Sequence, residues 1–348
     1  MLPLKNVLQI MVVALSIAGC CCQAAPPVVR KEYEKFKIEF ESKIDKTKQP
    51  ALFWRAKGDE PRPLVVALHT WSGNINQSWE KYRVRCEKRN WHLVYPNFRG
   101  PNWTPEACGS DFVVSDIESV VEYCKKNYPV DESRIYLVGG SGGGHCSLLM
   151  AGRASKIWAA VSSWCPISDI KAWHKECRAK YGKKGYSVHI EKACGGDPQV
   201  SAAAAENAKK RSPLTYLGAA KDVTIIDIGT GIYDGHRGSV PVSHAINAYN
   251  LLASPADRIS QADMDFIVKK AAIPEHLKYK GADDPAYGPY KVLLRKVSGK
   301  VRLTVFRGAH DLVIGPAFGF LERQQKGQAP VWSSGDVYDS GRKNKLDK

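Results

Sequence analysis

Six short apolar runs recur along the chain, separated by amphipathic stretches. The first is LVVALH, Leu64 to His69, and it is followed by WHLVYPNF, RIYLVGG, WAAVSSW, VTIIDIG and VRLTVF. Runs this short, apolar on both alternating faces, are strands buried on both sides of a parallel sheet. Between them, INQSWEKYRVRCEKR, SDIESVVEYCKKN, HCSLLMAGRA and SHAINAYNLLA carry the three- and four-residue spacing of helices. In the second of these, Ser115 and Glu118 have capping-box spacing. Strands alternating with helices predict an α/β fold, a mostly parallel sheet with helices on both faces, over residues 63–325.

Two segments break the rhythm. Residues 171–217 are polar with an alanine-rich run, and residues 254–290 wander with one helical stretch, so both read as insertions that would form a cap or rim. The charged stretch before Pro63, within residues 23–62, reads as a helix or an edge hairpin, and residues 326–348 as a basic, loosely ordered tail. Residues 1–22 have one lysine, an apolar run of roughly a dozen residues and then small residues, the pattern of a secretory leader too short to span a bilayer. Within it IAGC resembles a lipobox. Cys20 would then be the lipidated first residue of an exported, membrane-attached chain; ordinary cleavage near CQAA is the alternative, giving a periplasmic or secreted protein.

Composition narrows the classes. The chain has 348 residues, of which 44% are hydrophobic, enough for a large core. Its net charge of +16 is spread along the sequence without a nucleic-acid module, so the basic surface reads as solvated rather than as a nucleic-acid interface. Three of the ten cysteines lie in the leader and the other seven lack paired metal spacing, so no metal or cofactor is expected. If export oxidises any pair, Cys177 with Cys194 is the first candidate.

The stretch LVGGSGGGHC sets Ser141 among five glycines. A phosphate-binding loop would need lysine and a hydroxyl residue where His145 and Cys146 stand, and a dinucleotide turn would need a third glycine at position 145. What is satisfied is G-x-S-x-G between a strand and a helix, Gly139 and Gly143 lacking the Cβ atoms that would collide at such an elbow. The amide of Gly142, at the helix N-terminus, is the first expected oxyanion donor.

A serine hydroxyl needs a histidine base held by an acidic group, with the acid and then the histidine on loops after later strands. Asp234 follows VTIIDIG and His310 follows VRLTVF, in that order. Asp227 lies within its strand and reads as a buried hydrogen-bonded group, while Asp311, beside His310, would point elsewhere. His145 reads as packing behind the serine, His236 as lining the mouth, His244 as a helix-face residue and His69 as a brace for the loop after the first strand. That loop, LHTWSG, would supply the second oxyanion amide from Trp71 or Thr70.

These residues resemble the α/β-hydrolase superfamily and, within it, the catalytic domain of the prolyl oligopeptidase family. The resemblance rests on SDIESVVEYCKKNYPVDESRIYLVGGSGGG, GIYDGHRGSVPVSHA and FRGAHDL and covers residues 63–325. It implies a Ser141, Asp234, His310 triad and hydrolysis of peptides or esters through an acyl-enzyme. Gly142 stands where relatives often have tyrosine and Thr70 where many have glycine. The forty or so residues between leader and first clear strand leave no room for the family's β-propeller.

Two further readings stand beside a serine peptidase or esterase. Trp71, Trp103, Trp164 and Trp173 lie near predicted strand ends; Trp164 and Trp103 in particular would stack on sugars, as in an acyl-glycan esterase, if they do not simply fill the core. A non-catalytic envelope binding protein on the same scaffold would not need all three triad groups. A thiol hydrolase using Cys146 or Cys165 lacks an elbow for either sulfur.

Overall fold

The computed structural model of the chain describes residues 36–333. The leader with Cys20 and most of the basic tail lie outside the described residues. Among the described residues no helix is long and apolar enough to cross a membrane.

Nine strands of the described residues form one sheet: β1 (Lys37–Glu41), β2 (Lys48–Trp54), β3 (Arg62–Leu68), β4 (His92–Pro96), β5 (Val130–Gly140), β6 (Ala160–Trp164), β7 (Ile225–Gly231), β8 (Val292–Ser298) and β9 (Val301–Phe306), in the order β1-β2-β4-β3-β5-β6-β7-β9-β8. The six central strands, β4 to β9 in that order, are parallel. Antiparallel partners close both edges, β1 with β2 on one side and β8 on β9 at the other. The stretch before Pro63 is thus an edge hairpin in its described part. The six apolar runs are the six parallel strands, buried because helices cover both faces.

Those helices are α1 (Trp79–Arg89), α2 (Asp111–Asn127), α3 (Gly142–Arg153), α4 (Ile170–Tyr181), α5 (Tyr186–Cys194), α6 (Ala202–Lys210), α7 (Val242–Leu252), α8 (Gln261–Lys270) and α9 (Ile314–Leu321). Three of them, α4 to α6, fill residues 171–217 and build a small apolar cluster of their own around Trp71, Ile170, Trp173 and Ile190. The expected capping box is corrected: α2 begins one turn earlier, where Ser110 accepts from the Val113 amide, and Ser115 lies inside the helix. Cys177 and Cys194 are free, buried thiols rather than a disulfide.

One charge pair is set inside the sheet. Asp227 and Arg302 face each other across β7 and β9, both fully buried and 2.7 Å apart. Arg302 Nη1 donates to the Trp332 carbonyl at 2.6 Å, and the guanidinium lies against the stacked Phe320 and Trp332 rings. Asp227 is therefore a structural residue, paired where it is buried, as a carboxylate inside a sheet must be.

Behind the elbow, His145 is wholly buried and its Nε2–H donates to the Arg211 carbonyl at 2.7 Å. Burial holds this ring down to about 4 from the usual 6.5. The native ring stays neutral where the unfolded one takes a proton, so its contribution is whole above about pH 6.5 and is lost as pH falls toward 4. Unfolding free energies from urea titrations at pH 7 and pH 5 are expected to differ by about 2 kcal/mol from this group alone. His145→Gln should flatten that part of the profile.

Candidate active site

Strand β5 ends at Gly140 and α3 begins at Gly142, so Ser141 occupies the turn between them with φ 59° and ψ −120°. A side chain in this region of backbone space is strained by about 1–3 kcal/mol and persists only when its surroundings hold it. The Ser141 amide is tied to the Trp164 carbonyl at 2.9 Å, fixing the turn against β6. The glycines permit the close approach of β3: a Cβ on Gly143 would come within 2.6 Å of the Leu68 carbonyl oxygen and 2.8 Å of that of His69.

The same approach sets the amides of Gly142 and Trp71, the two expected oxyanion donors, beside each other. A Cβ on Gly142 would overlap the Trp71 backbone, lying 2.5 Å from its Cα. Of the two amides open after β3, that of Thr70 is taken, since it donates to Gln77 Oε1 at 3.0 Å, as does the Thr70 hydroxyl at 2.8 Å. The Trp71 amide has no backbone acceptor among the described residues. Its carbonyl is gripped by Asn102, through the backbone amide at 2.9 Å and Nδ2 at 3.2 Å, which orients the peptide. His69 braces the loop as expected: its two ring nitrogens lie 2.9 Å from the Thr70 and Asn97 carbonyls, and it stacks on Phe98 at 3.8 Å. Gln77 and Asn102 had no signal in the sequence, because each acts through a backbone group distant along the chain or hidden in a loop.

Asp234 and His310 meet beyond the ends of β7 and β9. The His310 Nδ1–H donates to Asp234 Oδ2 at 2.6 Å, and the other carboxylate oxygen accepts from the amides of Gly235 at 3.0 Å and Val240 at 3.1 Å. Asp234 is thus buried with both carboxylate oxygens hydrogen-bonded, one of them holding the ring. Gly238 has no room for a side chain, since a Cβ there would lie 2.7 Å from His310 Cβ and closer still to the Asp234 carboxylate. The two loops are sewn together by Ile232 and Tyr233 amides donating to the Phe306 and Gly308 carbonyls at 2.8 and 2.9 Å. His310 Nε2 has no hydrogen-bond partner, so the bond to Ser141 Oγ is not closed here; such bonds are commonly long before substrate binds. The histidine loop nevertheless lies against the elbow, for Leu312 would touch a Cβ on Gly140 at 3.0 Å.

The other sequence candidates fall elsewhere. Asp311 caps its own turn, accepting from the Ala309 amide at 3.2 Å. His236 Nε2 bonds the Val268 carbonyl at 2.7 Å, and His244 is buried between the Ser168 amide and Glu176. The stacking role expected of Trp164 is corrected: its ring is 0% exposed, donates to Ser162 Oγ at 2.8 Å and packs on Tyr287 and Phe306. Trp173 is equally buried. Trp103 is half-buried and packs on His189 with centroids 4.8 Å apart.

Among the described residues, two groups have donor atoms within metal-ligand spacing. Cys165 brings its sulfur beside Asp234 and His310, but the facing histidine and carboxylate atoms are already joined by their hydrogen bond. In His174, Glu191 and Asp197, Arg178 supplies the cation, bonding both carboxylates at 2.7 and 3.2 Å. Burial raises the Cys165 thiol well above its ordinary value, and Cys146 to about 12, so neither is poised as a thiolate.

Comparison with known proteins agrees with this geometry. Residues 89–225 match the model of the prolyl oligopeptidase family. A 160-residue stretch, 40% of the chain, is 26% identical to acylamino-acid-releasing enzyme 1 of Oryza sativa subsp. japonica and covers 20% of that protein. The fold superposes on Pyrococcus horikoshii acylaminoacyl peptidase with a TM-score of 0.56 at 17% identity, over 85% of this chain and 42% of that one. An acylaminoacyl peptidase in complex with Z-Gly-Gly-Phe-chloromethyl ketone gives 0.52 at 19% identity, with the same coverage. The chain therefore spans about two fifths of the length of these solved peptidases and a fifth of the plant enzyme. The chain has the α/β-hydrolase fold, and its residues 89–225 are similar to the prolyl oligopeptidase family.

Proposed function

We propose that the chain cleaves peptide or ester bonds through an acyl-enzyme on Ser141. The observation that carries this reading is His310 joined at 2.6 Å to the buried Asp234, on a loop packed against the strained elbow that holds Ser141. Ser141 Oγ attacks the carbonyl carbon while His310 Nε2 takes the hydroxyl proton, and Asp234 balances the imidazolium. The Gly142 and Trp71 amides receive the oxyanion. Collapse of the tetrahedral adduct expels the amine or alcohol, which leaves with the proton from His310. A water, deprotonated by the same nitrogen, then frees the acid and restores the serine.

The relatives named for acylaminoacyl substrates make a blocked peptide N-terminus the first amide to try. Burial of Trp164 and Trp173 removes the main support for sugar stacking, so an acyl-glycan ester ranks second and a non-catalytic binding role third. Export with lipid on Cys20 completes the proposal and places the substrate outside the cytoplasm. The test is kcat/KM on matched acyl esters, acylaminoacyl anilides and peptidyl anilides, with Ser141→Ala as blank. Anilide turnover comparable to ester turnover is expected; ester turnover alone would make the chain an esterase, and silence on all three would overturn the hydrolytic reading.

A further inference from the structure

The loop that carries the catalytic acid bonds its outward carbonyls to a helix from elsewhere in the chain. Residues 235–240 turn away from Asp234 in no regular element, and their amides at Gly235 and Val240 face inward on the carboxylate. The outward carbonyls meet donors from α4 of the inserted segment. The Lys180 ammonium donates to the carbonyls of Gly235, His236 and Gly238 at 2.7, 3.1 and 2.8 Å, and the Trp173 indole N–H to that of Ser239 at 2.8 Å. An ammonium has three protons, so Lys180 is fully bonded by one loop.

The ladder of contacts runs without a break from Lys180 to His310. Lys180 holds three peptide units, the same loop presents two amides to Asp234 Oδ1, and Oδ2 of that carboxylate holds His310. The loop has little freedom of its own to compensate, because Gly238 is already pressed against Asp234 and His310. Yet the lysine touches neither substrate nor triad and is itself exposed. We propose, resting on the triad reading above, that Lys180 is a positioning residue for the catalytic acid, through which the inserted helix sets the alignment of Asp234 and His310.

This role differs from simple support in what it predicts. Loss of the ammonium should loosen the acid without altering the oxyanion amides or the substrate groove, so kcat falls while KM holds. A cavity of about 360 Å3 beside the junction, lined by Glu176, Cys177, Tyr181, Gly235 and Ser239, leaves space for a small amine to stand in.

The experiment compares the wild type with Lys180→Met, Lys180→Arg and Lys180→Ala on the best ester, and follows the rate at which an aryl fluorophosphonate labels Ser141. Lys180→Met is expected to lose roughly tenfold in kcat and in labelling rate with KM within about twofold, the cost of a misaligned catalytic group. Lys180→Arg, which can reach the same carbonyls, should keep most of the rate, and ethylammonium should restore Lys180→Ala. A folded Lys180→Met with wild-type kcat and labelling rate overturns the proposal. So does a loss that tracks melting temperature alone and that neither arginine nor the amine relieves. If the wild type itself is not labelled, the hydrolase reading falls and this inference with it, whereas a labelled wild type with an equally fast Lys180→Met removes only the role of Lys180.

Discussion

Ser141→Ala is expected to lower kcat/KM on every cleaved substrate by about 10^5-fold or more, since without the hydroxyl the histidine and acid have no nucleophile to serve. Melting should barely move, because the alanine inherits the same backbone, with φ 59° and ψ −120°. Ser141→Gly separates the two effects. Glycine occupies that conformation without strain, so this variant should be equally inactive but more stable by about 1 kcal/mol or more. Steady-state kinetics and a calorimetric melt check both, and an alanine variant that turns over at full rate would remove Ser141 from the mechanism.

Gly142→Ala should cost about 10^2 to 10^3 in kcat with KM nearly unchanged. The methyl group would sit 2.5 Å from Trp71 Cα and 2.9 Å from the Thr70 carbonyl carbon, so one of the two oxyanion amides must withdraw. Those neighbours are backbone, pinned by Gln77 and Asn102, and cannot swing aside as a side chain would. The lost interaction forms only when charge develops on the substrate oxygen, which places the deficit in kcat rather than in KM. Here the Trp71 backbone fills the space that a side chain at position 142 would need. A Gly142→Ala enzyme with unchanged kcat would mean that the oxyanion is held by other donors.

The parallel sheet was legible because each central strand is a short apolar run, and a strand covered on both faces has no polar positions to blur it. Strand β8 and helix α9 were not. VLLRKVS mixes half-buried arginine and lysine into an edge strand directly after a polar excursion, and Gly315, Pro316 and Gly319 disguise α9 as a loop. For the candidate site, chain order sufficed to bring out Asp234 and His310, since loops after successive parallel strands converge on one edge of the sheet. Trp164 misled for the same reason that its strand was clear. All five residues of β6 are buried, so burial says nothing about which ones face the substrate side. Gln77, Asn102 and Lys180 stayed invisible because each works on a backbone group, and a backbone group has no sequence signature.

The bonding of α4 to the acid loop has a consequence for how the molecule comes apart. Four carbonyls between residues 235 and 239 have their donors on α4, so a local opening of that helix strips them all at once. Insertion and acid loop then form one cooperative opening unit, separate from the parallel strands. Mild heat or denaturant would disarm the histidine while the sheet is still intact, and recovery on cooling would require only the helix to settle back.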